Sequence, residues 1–160
     1  MSDYAGIGSR KLSEPQLEVC REVARRAAAA GWRLHTGACI GADQAFAKGA
    51  IEAGGAVTLY LPWRSYEEKW VTQAYNHGAL VLVLSEDDHE AWTSVALHPK
   101  AHLLSNGARA LHARNFCIIR ESSWVAAYPL LNQYGSRGGT GHGMLLAEKK
   151  GIPILDLSTL

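Results

Sequence analysis

The sequence predicts an α/β fold, a single-domain modified Rossmann fold with a mostly parallel sheet flanked by helices. Three observations predict it. Short apolar runs alternate with segments of helical period along the whole chain. The run over residues 79–84 is continuously apolar, as expected of a parallel strand covered on both faces. Three turns that follow strands are rich in glycine and other small residues, as at the ligand-binding rim of such a sheet. The 160 residues are the length of one domain, spanning 1–160, and a hydrophobic content of 48% is enough for a full core.

Residues 4–7 are apolar and end at Gly8, which makes them the first strand. Ser13 with Gln16 forms a capping box, and Leu17, Cys20, Val23, Ala27 and Ala30 follow at helical spacing until Gly31 stops the helix. A second strand over 32–35 leads into a small-residue loop over 36–41 and a helix over 42–53, broken by Gly54 and Gly55. The third strand, 57–61, halts at Pro62. Ser65 with Glu68 repeats the capping-box pattern and opens a helix ending near 76–78, before the apolar strand 79–84. Residues 85–104 have no clear period beyond a short helix around 90–97. Ser105 caps a helix running to about 119; then come a strand over 124–128, an irregular loop over 130–137, a helix over 140–150 stopped by Gly151, and a last strand over 152–157. Such alternation means right-handed βαβ crossovers, with ligands beyond the carboxyl ends of the strands.

Composition excludes several classes. Sixteen Lys and Arg stand against 15 Asp and Glu, a net charge of +1 without a basic stripe, which argues against a nucleic-acid partner. Arg21, Arg25 and Arg26 read as the solvated face of an amphipathic helix. Cys20, Cys39 and Cys117 fit neither a disulfide framework nor a zinc pattern, so reduced thiols in a cytoplasmic protein are expected. Residues 1–4 lack a signal-peptide layout and no apolar run approaches 18 residues, so no membrane association is expected. His98, His102 and His112 are interrupted by Pro99 and joined by no Cys or carboxylate in a recognisable ligand set, so neither a metal nor a resident cofactor is expected.

The candidate site lies in the three turns: Gly6-Ile7-Gly8-Ser9-Arg10, then Thr36-Gly37-Ala38-Cys39-Ile40-Gly41-Ala42-Asp43, then Gly138-Gly139-Thr140-Gly141-His142-Gly143. Glycine lets the backbone approach a ligand, and the helix that follows offers unpaired N–H groups and a partial positive charge, which together suit phosphate. Ser9, Thr36 and Thr140 add hydroxyls and Arg10 a cationic fork. Asp43 either caps its helix or accepts from a ribose hydroxyl, Trp63 either stacks on a base or covers the core, and His142 either touches the ligand or lies exposed. Cys39 lacks a partner for nucleophilic chemistry and reads as packing. No turn has the Lys-Ser/Thr pair of a P-loop, and Lys11 stands where a dinucleotide fingerprint needs its third glycine.

These motifs, with Leu61-Pro62-Trp63, His112-Ala113-Arg114-Asn115 and Gly151-Ile152-Pro153, resemble the SLOG superfamily over nearly the whole chain. That superfamily includes the DNA-processing protein A and LONELY GUY families, and the likeness is nearest to small stand-alone phage and prophage members. The resemblance implies a nucleotide site using Gly8, Ser9, Arg10, Thr36, Gly37, Gly41, Asp43, Gly139, Thr140 and Gly141. Gly138, Trp63, Arg114, Asn115 and His142 complete the expected ligand-binding set. It also implies a homo-oligomer, a dimer or tetramer; Leu111, Phe116, Ile118 and Ile119 give the helix of Arg114 more apolar surface than one sheet face needs, so part of that surface is expected to form a homodimer seam.

Arg114 falls where the hydrolase branch has its arginine, but Met144 stands in place of that branch's glutamate and His142 in place of its threonine. Methionine cannot stabilise the oxocarbenium-like state of N-glycosidic cleavage. The expectation is therefore a protein that binds an NAD- or ADP-ribose-type nucleotide without turning it over, as a sensor or sequestering protein, with phage anti-defence as a role. The alternatives are a phosphoribohydrolase of LONELY GUY type and a single-stranded DNA-binding protein like DNA-processing protein A.

Overall fold

A computed structural model describes residues 2–132 and 137–160. Six strands, β1 (Asp3–Gly8), β2 (Arg33–Thr36), β3 (Val57–Leu61), β4 (Leu80–Val83), β5 (Trp124–Tyr128) and β6 (Ile154–Asp156), form one parallel sheet in the order β4-β3-β2-β1-β5-β6. The helices are α1 (Glu14–Ala29), α2 (Ala42–Glu52), α3 (Glu68–Asn76), α4 (His89–Thr93), α5 (Asn106–Arg120) and α6 (Gly138–Lys149). The chain builds outward from β1 to β4, then crosses back to add β5 and β6 on the other side. The direction of growth reverses between β1 and β5, where the connections leaving adjacent strand ends diverge and open a crevice.

Alternation along β1 sorts the core. Tyr4 points to the face covered by α1 and α2, with Cys20, Ala24, Leu34, Phe46 and Leu59. Ala5 and Ile7 point to the opposite face, covered by α4, α5 and α6 through Ala91, Phe116, Ile119, Met144 and Leu146. Two glycines set how closely these layers approach. A Cβ on Gly6 would fall 2.7 Å from the Phe46 ring, so bare backbone on β1 seats α2. A Cβ on Gly49 would collide with the backbone carbonyl of Arg21, so α1 and α2 pack almost backbone to backbone.

The Ser13–Gln16 capping box forms: the Ser13 N–H donates to Gln16 Oε1 at 2.8 Å and the Gln16 N–H to Ser13 Oγ at 3.4 Å. Ser105 caps α5 through the Ala108 N–H at 3.2 Å. The second capping box does not form. Helix α3 starts at Glu68 behind Glu67, which adopts a left-handed conformation (φ 50°) and makes no side-chain cap. The tight turn after Pro62, closed by the Tyr66 N–H on the Trp63 carbonyl (3.3 Å), occupies the residues such a cap would need.

Strand β4 is not covered on both faces. It is an edge strand, with Leu80 55%, Leu82 43% and Val83 44% exposed. Residues 85–104 fold as α4 followed by 3-10 turns over Ser94–Leu97 and Ala101–Leu103. Asp88 caps α4 and is held by the Arg120 guanidinium at 2.8 and 3.3 Å. This layer buries Phe116, Ile118 and Ile119 within the chain, so those α5 residues are not free to form the expected seam. The irregular loop expected over 130–137 lies partly outside the described residues. Helix α6 begins at Gly138, so the third glycine turn is its first helical turn. No helix among the described residues is long and apolar enough to cross a membrane.

Candidate functional site

A cavity of about 720 Å³ opens at the carboxyl end of β1, walled by α5 and the first turn of α6. The first turn is anchored by the Ser9 N–H on the Tyr128 carbonyl (3.0 Å), and Ser9 Oγ accepts from the Lys11 N–H (3.1 Å). Arg10 and Lys11 stand exposed on the rim, as does Arg137 at the start of α6. The first two turns touch through Gly41, the N-cap of α2, whose φ is +97° and whose missing Cβ would fall 2.7 Å from Arg10 Cα and from the Ser9 carbonyl oxygen. Only glycine meets both demands.

Beneath them lie two buried ionisable groups. A Cβ on Gly37 would sit 2.5 Å from Asp43 Oδ2 and 2.8 Å from Arg114 Nη1, so this glycine is what lets the carboxylate and the guanidinium approach the second turn together. Asp43 accepts from the Cys39 N–H at 3.4 Å. Burial pushes its pKa up to about 6, against the opposing pull of Arg114. Arg114 Nη1 donates to the Tyr60 carbonyl at 3.0 Å, and its guanidinium lies 5.7 Å from the centre of the Tyr66 ring. Its Nε is buried without a hydrogen-bond partner among the described residues. Burial also raises the Cys39 thiol pKa, which keeps it protonated.

The first turn of α6 faces the same space. No side chain of its N-cap residue caps it, Gly138 has φ +59°, and a Cβ on Gly139 would meet nothing within 4 Å. Asn115 Nδ2 on α5 donates to the Gly139 carbonyl at 3.3 Å and fixes the turn against the wall. A helix start leaves N–H groups without intrahelical partners and carries a partial positive charge. A second groove, of about 730 Å³, runs between α1, α2 and α3 away from the strand ends and shares only Ile40 and Gly41 with the turns.

The SLOG cluster4 family model matches residues 5–159. The chain belongs to the SLOG cluster4 family. No curated protein matches its sequence. Among solved structures, this SLOG protein is similar to DNA processing protein A from Helicobacter pylori, a structure described for its single-stranded DNA binding mode. The TM-score is 0.68 and the identity 19%, over 96% of this chain and 63% of that one, so the SLOG chain spans less than two thirds of that protein's length. It is also similar to the Moco carrier protein of Chlamydomonas reinhardtii, with TM-score 0.63 and 22% identity over 99% of this chain and 77% of that one. At these identities the likeness is one of fold.

Of the positions expected in the site, the SLOG protein lines its cavity with Gly8, Ser9, Arg10, Asp43, Arg114, Asn115, Gly138, Gly139 and Thr140. Gly37 and Gly41 stand behind them as spacers. The Thr36 hydroxyl is committed to the Gly6 carbonyl at 2.6 Å and ties β2 to β1. Gly141 leaves room for Arg137, since a Cβ on it would fall 2.8 Å from the Arg137 Cβ. Trp63 lies outside the cavity, edge-on to Tyr66 at 5.3 Å, and Tyr66 is the aromatic residue that lines it. His142 is neither exposed nor on the cavity; it is buried, 3.2 Å from both His112 Nδ1 and the Ser94 carbonyl.

Lys11, Tyr66, His112 and Arg137 line the cavity although they were not among the expected ligand-binding positions. Lys11 and Arg137 flank glycine turns, and His112 precedes Asn115 by three positions on one helix, which were usable signals. Tyr66 had none, because it arrives through an irregular turn. Met144, at the hydrolase glutamate position, is buried among Ile7 and Ala147 in the core and does not line the cavity.

Proposed function

We propose that this SLOG cluster4 protein binds a phosphate-bearing nucleotide or nucleotide-derived signal, of NAD or ADP-ribose type, and holds it intact as a sensor or sequestering protein. One observation carries the reading: the first turn of α6, the rim cations Arg10, Lys11 and Arg137, and the Arg114 Nε, buried with no hydrogen-bond partner among the described residues, surround one cavity. Backbone N–H groups beside guanidinium forks suit an anion with several oxygens. Binding without cleavage is favoured because Met144 is buried in the core. Asp43 is the one carboxylate among the described lining residues, and it is engaged by the Cys39 N–H and set beside Arg114 under the second turn. A single-stranded DNA role is disfavoured because Arg21, Arg25 and Arg26 are engaged with Glu14, Glu18, Glu22 and Glu52 along α1 and α2.

Self-association, expected from the sequence, is part of the proposal but on a different surface: the free edge of β4. Its support is that β4 carries exposed leucine and valine and no charge or proline to repel an identical strand.

Calorimetric titration with ADP and ADP-ribose tests the ligand reading. The expected result is saturable binding, weakened roughly ten- to a hundredfold by Arg10→Ala or by Arg137→Ala, the loss expected of one charged hydrogen bond of roughly 1.5–3 kcal/mol. Chromatography of the titrated mixture should recover the nucleotide intact. Absence of binding would overturn the reading, and release of free base would replace it with the hydrolase.

A further inference from the structure

A short chain of hydrogen bonds decides which nitrogen of His112 is left for the cavity. His142 Nε2 lies 3.2 Å from the Ser94 carbonyl oxygen. A carbonyl only accepts, so the His142 proton is on Nε2, and its Nδ1 in the neutral ring is an acceptor. That Nδ1 lies 3.2 Å from His112 Nδ1. Two lone pairs cannot share this contact, so His112 donates from Nδ1, and its Nε2 is a bare lone pair. These tautomers are assigned from the partners.

The neutral state of both rings follows from their surroundings. His142 is 3% and His112 9% exposed, and the His98 ring sits 4.5 Å from His112 and 6.0 Å from His142. A charge on His112 or His142 would be shielded from water and face the neighbouring rings. Burial and the adjacent histidines push the His112 pKa down to about 4 and lower that of His142. The carbonyl that starts the chain is itself fixed, because Ser94 is buried and its hydroxyl donates to the Ala91 carbonyl at 2.6 Å.

His112 lines the cavity, and its Nε2 has no hydrogen-bond partner among the described residues. Nε2 is not among the buried atoms left without a partner, so this lone pair is open to solvent and a ligand donor can reach it. A neutral acceptor does not attract phosphate oxygens, so the group it selects carries an O–H or N–H. Position narrows this further. His112 is one helical turn before Asn115, which contacts the α6 turn proposed to seat the phosphate. In a nucleotide the donor nearest a phosphate is a sugar hydroxyl.

We infer that His112 Nε2 accepts a hydrogen bond from a ribose hydroxyl, so that the site selects ribonucleotides over their deoxy analogues, with His142 and the Ser94 carbonyl as positioning groups that set the tautomer. The inference rests on the nucleotide reading above and names the sugar that reading leaves open.

Long-range ¹H–¹⁵N NMR of the labelled, ligand-free protein at pH 7 should show His112 protonated at Nδ1 and His142 at Nε2. The opposite tautomer for His112 would overturn the inference whatever the ligand. Titration of the wild-type protein with ADP and with 2′,3′-dideoxy-ADP should give at least tenfold weaker binding for the dideoxy compound; equal binding of the two would also overturn it. His112→Phe should bring both nucleotides to the same weak affinity, and His112→Gln, whose amide oxygen still accepts, should restore part of the preference. Discrimination that survives in His112→Phe would count against the assignment. If the wild type binds ADP but does not discriminate, only the inference fails; if it binds no nucleotide, the underlying reading fails as well.

Discussion

Replacing Asp43 with asparagine tests the electrostatics of the cavity floor. Asp43 is 6% exposed, and its pKa is raised from an ordinary 3.8 to about 6, first by burial. Between these values the folded protein keeps a proton that the unfolded chain has released. Stability must therefore fall as pH rises through that window, and is flat above it. At 1.36 kcal/mol per tenfold in proton affinity, the cost at neutral pH is about 3 kcal/mol. Asparagine stays uncharged in both states and still offers Oδ1 to the Cys39 N–H. Asp43→Asn should therefore be more stable than wild type at pH 7.5 by about 3 kcal/mol, or roughly 6–12 °C in Tm, and the two should converge near pH 4. Urea denaturation followed by circular dichroism from pH 4 to 8 measures this directly. A variant less stable at pH 7.5, beside a wild type flat between pH 4 and 6, would refute the argument, since Arg114 would then hold a charged Asp43 as a stabilising partner. The same substitution should weaken ADP binding. A residue that costs stability at neutral pH is the kind retained for a site.

Two further outcomes follow from the packing. Gly49→Ala sets a methyl group against the Arg21 carbonyl, which must force α1 off α2; a loss of roughly 1–3 kcal/mol in urea melts is expected, and a stabilised variant, as helix propensity alone would give, would show that the helices separate freely. Leu82→Lys puts a charge on the free edge of β4, where Leu82 is 43% exposed. In sedimentation velocity the wild type should run as a dimer and the variant as a monomer, while a monomeric wild type removes the proposed interface.

Much of the fold was legible because it is written locally. Ser13 and Gln16 are three residues apart and close their box whatever lies around them, and the apolar run over 57–61 becomes β3 with those same limits. The glycine turns were legible for the same reason, since a positive φ at Gly41 or a close approach at Gly37 is a demand on one residue. The second capping box failed because Ser65 lies in a turn whose shape is set after Pro62, and Trp63 was outranked as the cavity's aromatic by Tyr66 in that turn.

By itself, then, the sequence determined the order and type of the elements and which turns meet at the sheet's rim, because periodicity and backbone preference are properties of neighbours along the chain. Only the tertiary structure decided that 79–84 forms an edge, that Arg114 reaches the turn holding Asp43, and that His142 turns inward to set the tautomer of His112. Each of these joins groups from separate elements. An apolar run or a lone histidine has the same local pattern at a sheet edge or centre, inside or outside a cavity, until packing fixes its neighbours.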